Sequence, residues 1–172
     1  VAEHCGLDRL LLMVTPENPF KQGRRPAAEV HRLRMAEMVS RRIKGASTSA
    51  FEMQLPRPSY TVDTVEALQQ KFPHDEFVLV IGADNWSAWR RWHRADDLMR
   101  MCRVLVYPRK GCPVEIAPDV SDRVTVVEAP EVEISSTDIR HMLAGTGRAP
   151  FYLPADVEHY AITHRLYTEC ES

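Results

Sequence analysis

The chain has 172 residues, of which 44% are hydrophobic and 27% charged, and this ordinary globular composition predicts a single domain over residues 1–172. The formal net charge is −2, with acidic and basic residues interspersed, so neither nucleic acid nor a membrane surface is an expected partner. No apolar run approaches the roughly 20 residues that a transmembrane helix needs, and we predict a cytoplasmic protein.

Four apolar runs predict strands, and their near-continuous hydrophobicity suits strands that are covered on both faces. Helical patterns alternate with them, which predicts right-handed crossovers and an α/β fold: a Rossmann-like open parallel sheet with helices on both faces. Ligands of such sheets bind beyond the carboxyl ends of the strands. In chain order, the runs are LLLMV (10–14), FVLVIG (77–82), VLVY (104–107) and VTVV (124–127).

Helices are predicted from apolar stripes at helical spacing. The first follows Pro26, the third starts near Ser136 and the fourth near Pro154. The second lies in TVDTVEALQQKF, where Asp63 and Glu66 have capping-box spacing. The first stripe comprises Val30, Leu33, Ala36, Val39 and Ile43, and the second comprises Val62, Val65, Leu68 and Phe72.

Three consecutive hydroxyl residues, Ser135, Ser136 and Thr137, lie where a strand-like run meets the third helix. This helix start offers N–H groups, hydroxyl donors and a positive dipole end to one anion, and Arg140 adds a charged donor one turn later. The pattern therefore fits a phosphate site. An N-cap rich in hydroxyls, with Asp138 complementing the dipole, explains it as well, and these residues alone leave both interpretations open.

The strand FVLVI ends in GADNW, where Gly82 lets a ligand approach the backbone. Asp84 either accepts hydrogen bonds from ribose hydroxyls or caps the next helix. Trp86, Trp89 and Trp92 follow within WSAWRRWHR. Core packing is the usual explanation of such spacing, and the functional one is that an indole stacks on a flat aromatic ligand beside an arginine.

Three proline-containing stretches, TPENPFKQ (15–22), PRPSYT (56–61) and YPRKGCP (107–113), are typical of turns. In the first of them, Lys21 is placed to reach a phosphate. Metal ligation has no comparable motif, since C-x-x-C and H-E-x-x-H are both absent. We predict no protein-bound metal, and we expect the four cysteines to be reduced thiols.

Taken together and in this order, five stretches resemble the bacterial nicotinate-nucleotide adenylyltransferases, from about Leu7 to about Leu153: VTPENPFK, RLRMAEM, LPRPSYTVDTVEAL, FVLVIGADNWSAWRRW and VEISSTDIR. The resemblance implies transfer of the adenylyl group of ATP to nicotinate mononucleotide, which gives pyrophosphate and nicotinate adenine dinucleotide, the precursor of NAD. It implies Mg²⁺ as the cofactor, bound through the phosphates of ATP rather than in a protein cage.

The resemblance also implies roles for individual residues. Trp92 is similar to the indole that stacks on the pyridine ring, and Tyr60 with Thr61 to the loop whose backbone reads the nicotinate carboxylate. Asp84 resembles the acid that binds ribose or orders a loop, and Lys21 lies in the loop that contacts the mononucleotide phosphate. The ATP site is assigned to Ser135, Ser136, Thr137, Arg140 and Gly82, with Arg140 and Lys21 as catalytic cations.

Two features depart from the family pattern. Phe20 stands where many members carry a histidine before the basic residue. An amino-terminal strand and loop with an H-x-G-H pair, whose histidines bind the ATP phosphates in the family, is absent, and His4 cannot replace it. We therefore expect that the first strand is missing from the chain as given, and that the chain as given is inactive or nearly so.

Two rival functions stay open at this point: another adenylyltransferase of the superfamily, such as phosphopantetheine adenylyltransferase, and a non-catalytic nucleotide-binding relative. Trp92 and the PSYT stretch weigh against the first rival. The sequence does not decide between nicotinate and nicotinamide as the preferred base, and it is compatible with a homo-oligomer.

Overall fold

The computed structural model describes residues 5–16, 27–129, 134–149 and 151–168. Backbone contacts divide the chain into two compact units. The continuous unit runs from residue 59 to residue 133, and the split unit combines residues 6–58 with residues 134–172. The single domain expected from chain length stays a prediction.

Strands and helices alternate along the described residues, as the hydrophobic pattern predicts. Single turns of 3₁₀-helix cover Phe51–Gln54, Trp89–Arg91 and Pro118–Val120. In the described ranges, every helix is too short or too polar to cross a bilayer. Labelled in chain order, the elements are β1 (Leu10–Met13), α1 (Glu29–Ser40), β2 (Ala46–Ser49), α2 (Thr61–Lys71), β3 (Val78–Gly82), α3 (Ala83–Trp86), α4 (Ala95–Met101), β4 (Arg103–Tyr107), β5 (Val124–Val126), α5 (Ser136–Thr146) and α6 (Ala155–Thr163).

The continuous unit contains a parallel sheet in the order β3–β4–β5, with Val104 of β4 opposite Val124 of β5. Val104 and Val106 are fully buried, as expected for a strand covered on both faces. Val62 of α2 and Leu98 of α4 complete the centre of this core. The sheet therefore brings the carboxyl ends of β3 and β4 to one edge, with apolar helices packed against it.

The split unit contains two parallel strands, β1 and β2, with Leu10 opposite Ala46. The sequence of β2 is ASTS, a polar run without the hydrophobic signal that identified the other strands. A small core is formed by Leu143 of α5, Ala161 of α6 and Ala149 between the two helices in sequence. This second sheet could not be predicted from apolar runs because one of its two strands has none.

Three details of the predicted helices are wrong. Phe72, predicted in the second apolar stripe, follows the last residue of α2 and is 41% exposed. In α1, Val30 is 66% exposed and Ile43 lies beyond the end of the helix, so the apolar stripe is shorter than predicted. In α2, no side chain caps the helix, and Asp63 and Glu66 do not form a capping box. Their carboxylates instead pair with a guanidinium from elsewhere in the continuous unit, as described below.

Candidate functional site

Polar residues cluster at the carboxyl ends of β3 and β4. Gly82 and Tyr107 end the two strands in register, and Asp84 and Arg109 each follow two residues later. The Arg109 guanidinium donates to the Tyr107 hydroxyl at 3.2 Å, and its Nε lies 3.7 Å from Asp84 Oδ1. Because open parallel sheets bind ligands at this edge, the cluster is a candidate part of a ligand site.

Two side chains lie close to the backbone of Gly82. A Cβ at this position would lie 2.4 Å from Asp84 Oδ1 and 3.2 Å from the Tyr107 ring. Asp84 does not cap α3, whose N-cap is Gly82 without a side-chain hydrogen bond. Its carboxylate is 52% exposed, so it can still accept hydrogen bonds from a ligand. The capping alternative for Asp84 is therefore excluded.

The three tryptophans after β3 form a ladder of rings. The ring centroids of Trp86 and Trp89 are 5.5 Å apart, and those of Trp89 and Trp92 are 5.2 Å apart. Trp86 and Trp89 are buried, and Trp86 Nε1 donates to the Glu115 carbonyl at 2.9 Å. Trp92 is only half-buried. Core packing explains the first two rings, while Trp92 keeps an accessible indole on a rigid support.

A cavity of about 440 Å³ lies against Trp92 within the continuous unit. The Trp92 Nε1 atom is buried and has no hydrogen-bond partner among the described residues. Buried donors without an acceptor are rare in folded proteins, so this N–H is a candidate hydrogen-bond donor to a ligand. Besides Trp92, the cavity is lined by Arg90, Arg94, Ala95, Asp96, Asp97 and Arg100.

The PSYT stretch meets the Trp92 segment through a pair of rings. The centroids of Tyr60 and His93 are 4.3 Å apart, with 32° between the ring planes. Tyr60 is the N-cap of α2 and Thr61 its first residue. The structure thus places Tyr60, Thr61 and Trp92 in one part of the continuous unit, and their assignment to one substrate stays a prediction.

The hydroxyl-rich start of α5 is a complete capping box. The Ser135 hydroxyl accepts from the Asp138 N–H at 3.1 Å, and the Asp138 carboxylate accepts from the Ser135 N–H at 2.8 Å. The same hydroxyl donates to that carboxylate at 2.6 Å. The hydroxyl, and then the backbone N–H, of Ser135 hold the pKa of Asp138 below its ordinary value. The N-cap interpretation therefore accounts for Ser135 and Asp138.

Ser136, Thr137 and Arg140 have no part in this capping box. Ser136 is exposed, and Thr137 and Arg140 are half-buried on the first turns of α5. Ser136 and Arg140 border a cavity of about 350 Å³ within the split unit, whose other walls are mainly apolar. The positive end of an 11-residue helix, a hydroxyl and a guanidinium are suited to an anion.

Arg32 of α1 links two short segments of the split unit. Its guanidinium donates to the carbonyls of Thr15, Pro16 and Ala27, at 2.7 Å for Pro16 and 2.9 Å for Ala27.

Lys21 lies outside the described residues, so its assignment to the mononucleotide phosphate stays a prediction.

Sequence reasoning missed Arg94, Tyr107 and Arg109. The rule that functional residues follow strands identifies Arg109, which comes just after β4, but the prolines of YPRKGCP favoured a simple turn. Arg94 has one partner near in sequence, Asp97, but its bidentate partner Glu66 is 28 residues away. The folded chain shows that Arg94, at the end of the arginine-rich WSAWRRWHR stretch, links α2 and α4 through its ion pairs.

Sequence relatives identify the family. A cytidylyltransferase-like family model matches residues 1–142. A probable nicotinate-nucleotide adenylyltransferase of Bacteroides thetaiotaomicron is 37% identical over 93% of this chain and 79% of that protein. The chain belongs to the nicotinate-nucleotide adenylyltransferase family. A probable nicotinate-nucleotide adenylyltransferase of Bacteroides fragilis is 36% identical over 100% of this chain and 83% of that protein, and the resemblance seen in the five sequence stretches is confirmed.

Solved structures confirm the fold. The Plasmodium falciparum nicotinic acid mononucleotide adenylyltransferase complexed with NaAD gives a TM-score of 0.75 over 94% of this chain and 83% of that chain, at 13% sequence identity. The same protein complexed with APC gives a TM-score of 0.74. The predicted fold class, Rossmann-like with parallel strands and helices on both sides, is therefore correct.

Proposed function

We propose that the chain transfers the adenylyl group of ATP to nicotinate mononucleotide. An oxygen of the mononucleotide phosphate attacks the α-phosphorus of ATP in line, the bond from that phosphorus to the β-phosphate oxygen breaks, and pyrophosphate leaves. The product, nicotinate adenine dinucleotide, is the precursor of NAD. The main observation behind the proposal is the half-buried Trp92. Its ring packs on the ring of Trp89, and the neighbouring His93 stacks on Tyr60.

Mononucleotide recognition is assigned to the continuous unit. The pyridine ring stacks on the Trp92 indole. No side chain caps the start of α2, so the backbone N–H groups near Tyr60 and Thr61 can receive the nicotinate carboxylate, and the helix dipole favours its charge. Asp84 accepts from the ribose hydroxyls, and Lys21 contacts the phosphate.

Recognition of the ATP phosphates is assigned to the start of α5. Ser136 and Thr137 supply N–H and hydroxyl donors, and Arg140 supplies a planar guanidinium. Ser135 contributes by ordering the helix start, because its hydroxyl is already bonded to Asp138. Gly82 lets the nucleotide approach the backbone. Charge neutralisation by Arg140 and Lys21 at the transferring phosphoryl group supplies the catalysis.

Magnesium is assigned to the ATP phosphates. Across residues 5–16, 27–129, 134–149 and 151–168, no three His, Cys, Asp or Glu side chains form a group that could hold a metal ion. Mg²⁺ keeps several of its waters and binds mainly to substrate oxygens, so the proposal places it on the ATP phosphates. When bound, Mg²⁺ neutralises charge on the phosphates, and the protein residues named above orient the two substrates.

A substrate panel tests the proposal. ATP is supplied with nicotinate mononucleotide, nicotinamide mononucleotide or phosphopantetheine, and pyrophosphate release is followed while mass spectrometry identifies the product. We expect nicotinate adenine dinucleotide from the first acceptor, at the low rate expected of a sequence that lacks the H-x-G-H pair. Turnover with phosphopantetheine but not with nicotinate mononucleotide would reverse the choice of substrate. Binding of ATP without turnover of any acceptor would favour the non-catalytic relative.

We also keep three predictions about the setting of the reaction. The near-neutral charge argues against nucleic acid as a partner. A cytoplasmic location and compatibility with a homo-oligomeric state accompany the proposal, and fractionation and light scattering check them.

A further inference from the structure

Arg94 is held by three carboxylates from two helices. Its two Nη atoms form a fork on Glu66 of α2, at 2.6 Å and 3.2 Å, and its Nε donates to Asp97 of α4 at 2.7 Å. Nη1 also lies 3.6 Å from Asp63, one turn before Glu66. Glu66, followed by Asp97, holds the pKa of Arg94 above its ordinary value, and Arg94 holds the pKa of Asp97 below its own.

The backbone of Arg94 is unusual for a residue with a Cβ atom. Its φ of 51° and ψ of 43° lie in the left-handed region, where it acts as the N-cap of α4. Non-glycine residues enter this region at a steric cost and stay there when surrounding contacts require it. The contacts with Glu66, Asp97 and Asp63 therefore hold the left-handed backbone of Arg94, which directly follows His93 and lies two residues after Trp92.

The ion pairs of Arg94 connect two segments that contain residues assigned to the nicotinate site. Asp63 and Glu66 lie on α2, whose first residues are Tyr60 at the N-cap and Thr61. In the segment before Arg94, the backbone N–H of Trp92 donates to the Trp89 carbonyl at 2.9 Å, and the rings of His93 and Tyr60 have centroids 4.3 Å apart. Residues 92 and 93 are thus held between the buried Trp89 and the Arg94 ion pairs.

We propose that Arg94 is the positioning residue of the nicotinate site: it fixes the Trp92–His93 segment against the first turn of α2, and so sets the distance between the stacking indole and the groups that read the carboxylate. This inference rests on the proposed function. Arg94 borders the cavity at Trp92, but its Nε and both Nη atoms already donate to Asp97 and Glu66, so we assign Arg94 to positioning rather than to substrate binding. Its removal leaves each binding group intact and changes only their relative placement.

The test is a calorimetric titration of the full chain with nicotinate mononucleotide and, separately, with ATP. In Arg94→Met the Kd for nicotinate mononucleotide should rise about tenfold, between the few-fold effect of an exposed ion pair and the ~10²-fold cost of a misplacement of about 1 Å. The Kd for ATP should stay within about twofold, because the ATP phosphates are assigned to α5. Arg94→Lys should fall between, since an ammonium keeps the charge but not the fork.

Arg103→Met is the matched control. Arg103 belongs to the same unit and donates to Glu76 at 3.0 Å across 27 residues, close to the 28 residues that separate Arg94 from Glu66. It touches none of the assigned site residues, so both Kd values should equal those of the wild type. In Arg94→Met, NMR should also show the His93 ring protons losing the shift that stacking on Tyr60 produces.

The outcomes separate the inference from the proposed function. A wild-type chain that does not bind nicotinate mononucleotide overturns the proposed function, and the inference with it. The inference alone is overturned if the wild type binds nicotinate mononucleotide and Arg94→Met binds it with the same Kd. It is also overturned if Arg94→Met weakens ATP binding as much as it weakens binding of nicotinate mononucleotide. Should Arg94→Met fail to fold, Glu66→Gln removes one side of the fork and should weaken mononucleotide binding selectively.

Discussion

The two regions assigned to the two substrates are stabilised in opposite ways. The start of α5 is ordered by contacts within its own first turn, since Ser135 and Asp138 are three residues apart. The Trp92 region is ordered by contacts across the continuous unit, such as Trp86 with Glu115, 29 residues apart. A helix cap keeps its geometry when distant residues change, whereas the Trp92 region depends on several elements at once.

This difference predicts how far the effect of a substitution spreads. Changes at the start of α5 should alter that helix and ATP binding only. Changes in the Trp92 region should alter mononucleotide binding through residues that never touch the ligand. The following variants test this contrast in order of decreasing effect.

Trp92→Ala should have the largest effect. Loss of a stacking ring should raise the Kd for nicotinate mononucleotide about 10- to 100-fold, from the ~1–3 kcal/mol that a stacked base contributes. Calorimetry measures the Kd. Phe151→Ala is the control, because Phe151 is an aromatic residue that is 100% exposed. Equal affinities of Trp92→Ala and wild type would show that the pyridine ring does not lie on this indole.

Gly82→Ala should weaken the binding of both substrates. The new Cβ displaces the Asp84 carboxylate from the strand end and obstructs the backbone that the nucleotide approaches. We expect about tenfold weaker binding, typical of a lost hydrogen bond to a charged group. Gly145→Ala is the control, since a Cβ there meets nothing within 4 Å. Wild-type binding by Gly82→Ala would mean that this strand end is not part of the site.

Ser135→Ala should affect stability more than binding. Loss of the N-cap should lower the free energy of unfolding by about 1 kcal/mol, and the Kd for ATP should change less than about threefold. Urea unfolding and calorimetry measure the two quantities. An ATP affinity as low as that of Arg140→Met, without loss of stability, would show that the Ser135 hydroxyl contacts the phosphates instead of serving the cap.

Asp138 should give the smallest effect, a dependence of stability on pH. Its folded pKa lies below the ordinary value of 3.8, so its contribution is present above that pH and is lost as pH falls through the lower folded value. The unfolded chain binds the proton first, and stability declines with acid. Between about pH 5 and about pH 3, the wild type should lose more stability than Asp138→Asn. Equal losses in urea unfolding would contradict the cap.

Apolar runs and local spacing account for what the sequence could predict. The runs at β3 and β4 identified a parallel sheet, because fully buried strands need hydrophobic residues on both faces. The hydroxyls at Ser135 identified a helix start, since a cap forms from residues near in sequence. The β2 strand was not predicted because its sequence, ASTS, has no apolar pattern. Its backbone nevertheless pairs with β1 along its whole length.

Long-range pairing explains what the sequence could not predict. Asp63 and Glu66 have the spacing of a capping box, but they bind Arg94 instead, which no rule about neighbouring residues foresees. In the same way, the three tryptophans divide into two core rings and one accessible ring only because Trp89 is buried and Trp92 lies at the edge of the core. Periodicity does not tell which ring stays accessible.

The most direct test of the account compares the same two ligands in two variants. Calorimetry measures the Kd for nicotinate mononucleotide and for ATP in Trp92→Ala and Arg140→Met. The account predicts a crossed pattern: Trp92→Ala weakens nicotinate mononucleotide and leaves ATP unchanged, and Arg140→Met weakens ATP and leaves nicotinate mononucleotide unchanged. Loss of the same ligand in both variants, or of neither ligand in either, would contradict the assignment of the two substrates to these two regions.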